Sequence, residues 1–283
     1  MEAKKIYKKL EEDFIYSSLS DDWFTDMGPV ADFLSDNFKQ RSMGLVCDNA
    51  QEIEKVYTAV FPSDKIMRAV LDRGDADVLL FVHHPQIWDI RKAPNVFQQM
   101  NKMLLQQFKE RRISIYNLHT PLDNFGEYST SATLAGALNI EIEKKFAHYN
   151  GGLCGVFGRV KISTTRGLKE SIESVVGHKA SLYQYGDEKI RNGMVAVVAG
   201  GGNSVDILKE VAKEGINVFI TGITAENDHS IDSHNFAKNN KINILGGTHY
   251  STEKFSCIAM CEYFKKIGLY SEFISDKPVL EDL

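Results

Sequence analysis

The apolar positions of this chain change their period several times, and each change marks an element. Residues 65–74, KIMRAVLDRG, carry Ile66, Met67, Val70 and Leu71 at helical spacing and stop at Gly74, which predicts an amphipathic helix. Residues 76–82, ADVLLFV, follow as an unbroken apolar run of the length of a strand buried on both faces. The unit recurs: VFQQMNKMLLQQFKERR (96–112) reads as an amphipathic helix, and ISIYNL (113–118) as a strand rich in β-branched and aromatic residues. A short helix, SATLAGALN (131–139), comes next, and the first 40 residues read as helices, with Ser20 or Asp21 capping DWFTDMGPVADFLSDNF (22–38). Helix and strand in alternation imply an α/β layered fold.

The four glycines of GGLCGVFGRV (151–160) interrupt this pattern, and a domain boundary is expected near Asn150. Beyond it, residues 193–215 read as strand, glycine turn and helix. INVFITG (216–222) and KINILGG (241–247) read as strands, and 251–267 as the last helix. The expected division is 1–149 plus 250–283 as a first α/β domain and 150–249 as a second. Two domains also suit a chain of 283 residues, because single cores stop growing near about 250–300 residues.

Composition narrows the function classes. With 43% apolar and 25% charged residues the chain is an ordered globular protein. Its 33 basic against 38 acidic side chains give a net charge of −5, which offers no general attraction to nucleic acid or anionic lipid. Cys47, Cys154, Cys257 and Cys261 form no CxxC pair and no disulfide framework, and Cys257 with Cys261 reads as two small core residues on one helix face. The amphipathic N-terminal stretch is not the apolar segment of a secretory signal, and no run approaches the about 20 apolar residues of a membrane helix, so a cytoplasmic protein is expected.

Histidines fall where strands end. His83 and His84 close the first buried strand, His119 closes the second with Asp123 four residues on, and His249 and Glu253 follow the last. Ligands of open α/β sheets gather beyond the carboxyl ends of strands, so neighbouring strands would bring these residues together. Imidazoles and carboxylates are donors for borderline divalent ions, and a carboxylate can bridge two. Each piece alone has a plainer explanation: backbone hydrogen bonds for the histidine pair, a turn for His119 and Asp123, helix capping for Glu253. Together they point to a metal site. The turn AGGGNS (199–204) presents N–H groups to an anion but lacks a P-loop lysine, and close helix–strand packing explains it equally.

The motifs VHHPQIW (82–88), LHTPLDN (118–124) and GGTHYSTE (246–253), in this order, resemble those of the Nif-three-like family, also called GTP cyclohydrolase I type 2 homologues. The resemblance implies two intertwined domains of similar topology with a dinuclear metal site in the cleft between them, in subunits forming a toroidal homohexamer. It places the metal ligands on His83, His84, Asp123, His249 and Glu253, with Asp123 and Glu253 bridging and His119 beside them, orienting a ligand or moving a proton. Two divalent ions per subunit are expected: zinc, iron, manganese or nickel. Where the family commonly carries an aspartate after the TG turn, this chain has Ile223, and His229 and His234 are the nearest substitutes, read as surface loop residues. A metal-dependent hydrolase of a small phosphate- or nucleotide-like substrate is the leading expectation, with GTP cyclohydrolase activity resting on the family label alone. The alternative is a non-catalytic metal-binding or regulatory protein acting through protein partners.

Overall fold

The computed structural model describes residues 1–283, which form two compact α/β units with interleaved chain segments. One comprises Met1–Leu122, Asn150–Gly152 and Cys257–Lys277; the other comprises Asp123–Tyr149, Leu153–Ser256 and Pro278–Leu283. No helix is long and apolar enough to cross a membrane.

In the first unit the chain runs through α1 (Ala3–Phe14), α2 (Asp36–Arg41), β1 (Gly44–Cys47), β2 (Lys55–Ala59), α3 (Asp64–Asp72), β3 (Val78–Val82), β4 (Ile87–Trp88), β5 (Phe97–Gln98), α4 (Lys102–Glu110) and β6 (Ile113–Asn117). The sheet order is β1-β6-β3-β2, with the chain's last strand, Tyr270–Phe273, beyond β2. All but β1 run parallel. All five residues of β3 are buried, as its unbroken apolar run requires of an interior parallel strand. Ser63 starts α3 by accepting the Ile66 N–H, and Ile66, Met67, Val70 and Leu71 enter the core with Leu80, Val82 and Ile115.

Two expected helices are shorter than their patterns. Over 96–112 only Lys102–Glu110 is helical, because the Asn101 side chain accepts the Met103 N–H and caps the helix there, while Phe97 and Gln98 pair with β4. Over 22–38 there is no continuous helix: Phe24–Asp26 and Gly28–Phe33 are 3-10 turns, and Ser35 caps the six-residue α2. Pro29 supplies no N–H and follows a glycine, which explains the break.

The second unit holds α6 (Thr130–Ala137), preceded by the four-residue α5 (Thr120–Asp123), then β7 (Glu141–Tyr149), β8 (Gly152–Arg159), α7 (Thr165–Val176), β9 (Ser181–Tyr183), β10 (Met194–Val198), α8 (Val205–Lys213), β11 (Val218–Thr221), α9 (Ile231–Asn240), β12 (Asn243–Gly246) and the start of α10 (His249–Lys266), whose residues from Cys257 on count with the first unit. Its sheet is ordered β7-β8-β10-β11-β12-β9, with β10, β11 and β12 parallel. Side chains alternate between two cores. Val195, Val197, Val218, Ile220 and Leu245 fill one, and Ala196, Val198, Phe219 and Ile244 the other.

The chain passes between units after Leu122 and after Ser256 as well as on either side of Asn150–Gly152. Residues 123–149 and 250–256 belong to the second unit, and Asn150–Gly152 counts with the first. Asn150 (φ 44°) and Gly151 (φ 86°) are the two-residue turn joining β7 to β8, and two positive φ values are what a tight hairpin demands of an Asn-Gly pair.

Candidate metal centre

The first unit brings three imidazoles together by strand register. Val82 of β3 pairs with Asn117 of the parallel β6, so His84 and His119 each lie two residues past the same rung. The strand ends at Val82 and the chain bends at His83, ahead of Pro85. The bend lets both adjacent histidines turn the same way, with ring centroids 4.4 Å apart. The His84–His119 and His83–His119 centroids are 4.7 and 5.3 Å apart. All three are buried, and one ligating nitrogen from each lies within 4.8 Å of the others. His83 Nδ1 donates to the Leu118 carbonyl at 2.9 Å; since a carbonyl only accepts, the proton is on Nδ1 and the neutral ring has its lone pair on Nε2.

Two side chains that the motifs do not reveal complete this group. Asp21, expected as a helix cap, instead accepts from His119 Nδ1 at 2.9 Å and from the Thr120 N–H at 3.1 Å. Trp23 packs edge-on against His84 and His119, at centroid distances of 5.6 and 4.8 Å. Phe61 stacks on the His84 ring at 4.8 Å. From the sequence Asp21 reads only as a possible helix cap and Trp23 only as part of the expected helix over 22–38.

The second unit contributes carboxylates. His249 and Glu253 lie one turn apart at the start of α10, both buried, with His249 Nε2 and Glu253 Oε1 3.1 Å apart. Asp123, at the end of α5, accepts from Thr130 Oγ1 at 2.9 Å, and its ligating oxygen lies within 4.8 Å of that of Glu253. The start of α10 is fixed by Asp282, whose carboxylate accepts the His249 N–H at 2.8 Å and whose carbonyl accepts the Thr224 and Ala225 N–H groups. An anion there is favoured by the helix dipole. Asp282 lies 33 residues from His249, and no local pattern announces the pairing.

Other candidates resolve into packing. His234 is no surface loop residue: it is buried on α9, its Nε2 donating to the Thr224 carbonyl at 3.1 Å and its Nδ1 accepting from Tyr185 Oη at 2.9 Å. His229 is exposed, with its N–H donating to Asn227. All four cysteines are free and buried. Burial pushes the Cys47 thiol up to about 12, and burial with the nearby Asp123 charge does the same to Cys154, so neither is a ready thiolate.

Within the first unit the donors are imidazole nitrogens, and within the second they are two carboxylates and an imidazole; each set is of the type that borderline divalent cations take. A profile of the family described as Duf34/NIF3 (NGG1p interacting factor 3) matches residues 34–277. A protein of Archaeoglobus fulgidus named GTP cyclohydrolase 1 type 2 homolog is 30% identical over 247 residues, 86% of this chain and 93% of that protein. One of the same name from Pyrococcus horikoshii is 26% identical, covering 82% and 88% of the two chains. Among solved structures, the protein ybgI, described as of unknown function, superposes with a TM-score of 0.76 at 22% identity, covering 99% of this chain and 100% of that one. Reduced HcgD from Methanocaldococcus jannaschii gives 0.68 at 24% identity and 98% coverage of both chains. The chain belongs to the Duf34/NIF3 family.

Proposed function

We propose that this protein is a dinuclear metal-dependent hydrolase of a small phosphate- or nucleotide-like substrate. In this reading His83, His84, Asp123, His249 and Glu253 would hold two divalent ions, drawn from zinc, iron, manganese or nickel, and Asp123 and Glu253 would serve both. The observation that carries it is the pair of acids in the second unit: Asp123 and Glu253 are buried, with carboxylate oxygens within 4.8 Å of each other. Two carboxylates this close and this buried offer the oxygen donors that a divalent cation would join. When bound, such ions supply Lewis acidity at the scissile group. The protein's own part is to orient the imidazoles, through the Leu118 carbonyl on His83, and to exclude water with Trp23 and Phe61. His119 takes and returns the proton at Nε2.

Four free, buried cysteines support placing the protein in a reducing, cytoplasmic setting. Family membership supports a homohexamer, which light scattering checks: a stable monomer or dimer at micromolar concentration removes the ring. The relatives' name makes GTP a first probe beside simple phosphoesters. The reading is tested by comparing metal-free and metal-loaded protein on that panel, with turnover expected only in the loaded form. Ile223, a half-buried apolar side chain after the TG turn, favours the second reading, a metal-binding protein that acts through protein partners. Full metal loading with no turnover on any probe selects it.

A further inference from the structure

We propose that Asp21 is the positioning residue of His119: it holds the imidazole with the proton on Nδ1, so that the ring's lone pair is on Nε2. The consequence for turnover rests on the hydrolase reading above, while the tautomer assignment does not. Both Asp21 oxygens lie near Nδ1, at 2.9 and 3.2 Å, and Oδ2 also accepts the Thr120 N–H at 3.1 Å. An ionised carboxylate only accepts, so the proton of the shared bond is on Nδ1, and a neutral ring then has its lone pair on Nε2. The Thr120 N–H pins the carboxylate against rotation. The side chains of His119 and Asp21 are only 9% and 4% exposed, so water competes little for either group.

The segment carrying Asp21 is seated by the tip of the β7–β8 hairpin. The Ser20 N–H donates to the Asn150 carbonyl at 3.1 Å, and Asn150 Nδ2 donates to Thr120 Oγ1 at 3.3 Å. A Cβ on Gly151 would lie 1.9 Å from the Ser18 carbonyl oxygen, so this approach needs glycine. Trp23 then closes over the ring edge. In hydrolysis, Nε2 accepts a proton from the attacking water and passes it to the leaving group; a ring protonated on Nε2 cannot begin that step.

Magic-angle-spinning NMR of the 15N-histidine-labelled, zinc-loaded full chain reads the tautomer directly, with His119→Gln to assign the signal. The wild type should show His119 protonated on Nδ1. Asp21→Asn, whose amide can donate to Nδ1, should shift the ring toward the Nε2-protonated form, and Asp21→Glu should restore the original signal, with zinc content unchanged throughout. If a metal-dependent turnover is found, Asp21→Asn should lower kcat by about 10²-fold or more at little change in KM. An Nε2-protonated ring in the wild type, or an unchanged tautomer in Asp21→Asn, overturns the proposal. Absence of any turnover with the predicted tautomers overturns only the hydrolase reading.

Discussion

The Glu253 carboxylate occupies the space that a side chain on Gly200 would need: a Cβ there would lie 2.1 Å from Glu253 Oε1 and 3.2 Å from His249 Cδ2. Gly200 also has φ +69° and donates its N–H to Thr252 Oγ1 at 3.0 Å. The glycine turn after β10 is thus explained by clearance for two proposed ligands, without recourse to a bound anion. Gly200→Ala should destabilise the fold by about 1–3 kcal/mol, through strain at positive φ and the contact, and should weaken metal binding by displacing Glu253. Thermal melting and metal titration of the variant check this; wild-type values in both would contradict it.

Much of this was legible in sequence because the elements that matter are strongly periodic. The buried run at 78–82 and the histidines that close it needed only strand logic and the three motifs. The device around His119 was not legible, since Asp21 reaches it across 98 residues from a segment broken at Gly28 and Pro29. Asp282 is illegible for the same reason: capping patterns lie next to a helix start, and this cap comes from 33 residues away. The glycines at 151–152 were visible, but a hairpin turn and a domain break share the same composition, and only the φ values separate them.

Acid sensitivity should include a contribution from Asp75. Hydrogen bonds from Lys55 Nζ, at 2.8 Å, and from Tyr57 Oη hold its carboxyl below the usual range. Because the folded group titrates below the unfolded one, its stabilisation is complete above about pH 4 and is lost as pH falls through the depressed folded value. The pair is about a third exposed, so the effect should be at most about 1 kcal/mol. Asp75→Asn should therefore melt slightly lower than wild type at pH 6, and the difference should shrink as pH falls below about 4; a difference that grows on acidification would be the wrong sign.

The native thiols should be inert. With Cys47 and Cys154 pushed up to about 12 and Cys261 raised by burial, the thiolate fraction at pH 8 is negligible. Cys257 is fully buried and donates its thiol to the Ala59 carbonyl. A disulfide-exchange reagent should titrate fewer than one thiol per native chain and all four after denaturation. Rapid native reaction of even one would show that its packing opens.

Metal stoichiometry measured on wild type, His83→Ala, His84→Ala and Asp123→Ala addresses the central claim directly. Elemental analysis should find close to two divalent ions per wild-type chain, a loss in each histidine variant, and loss of both ions in Asp123→Ala, because a bridging carboxylate serves each. Circular dichroism of the metal-free variants should stay near wild type. Full occupancy in the variants, or a wild type that takes up no divalent ion when supplied with one, would contradict the dinuclear centre.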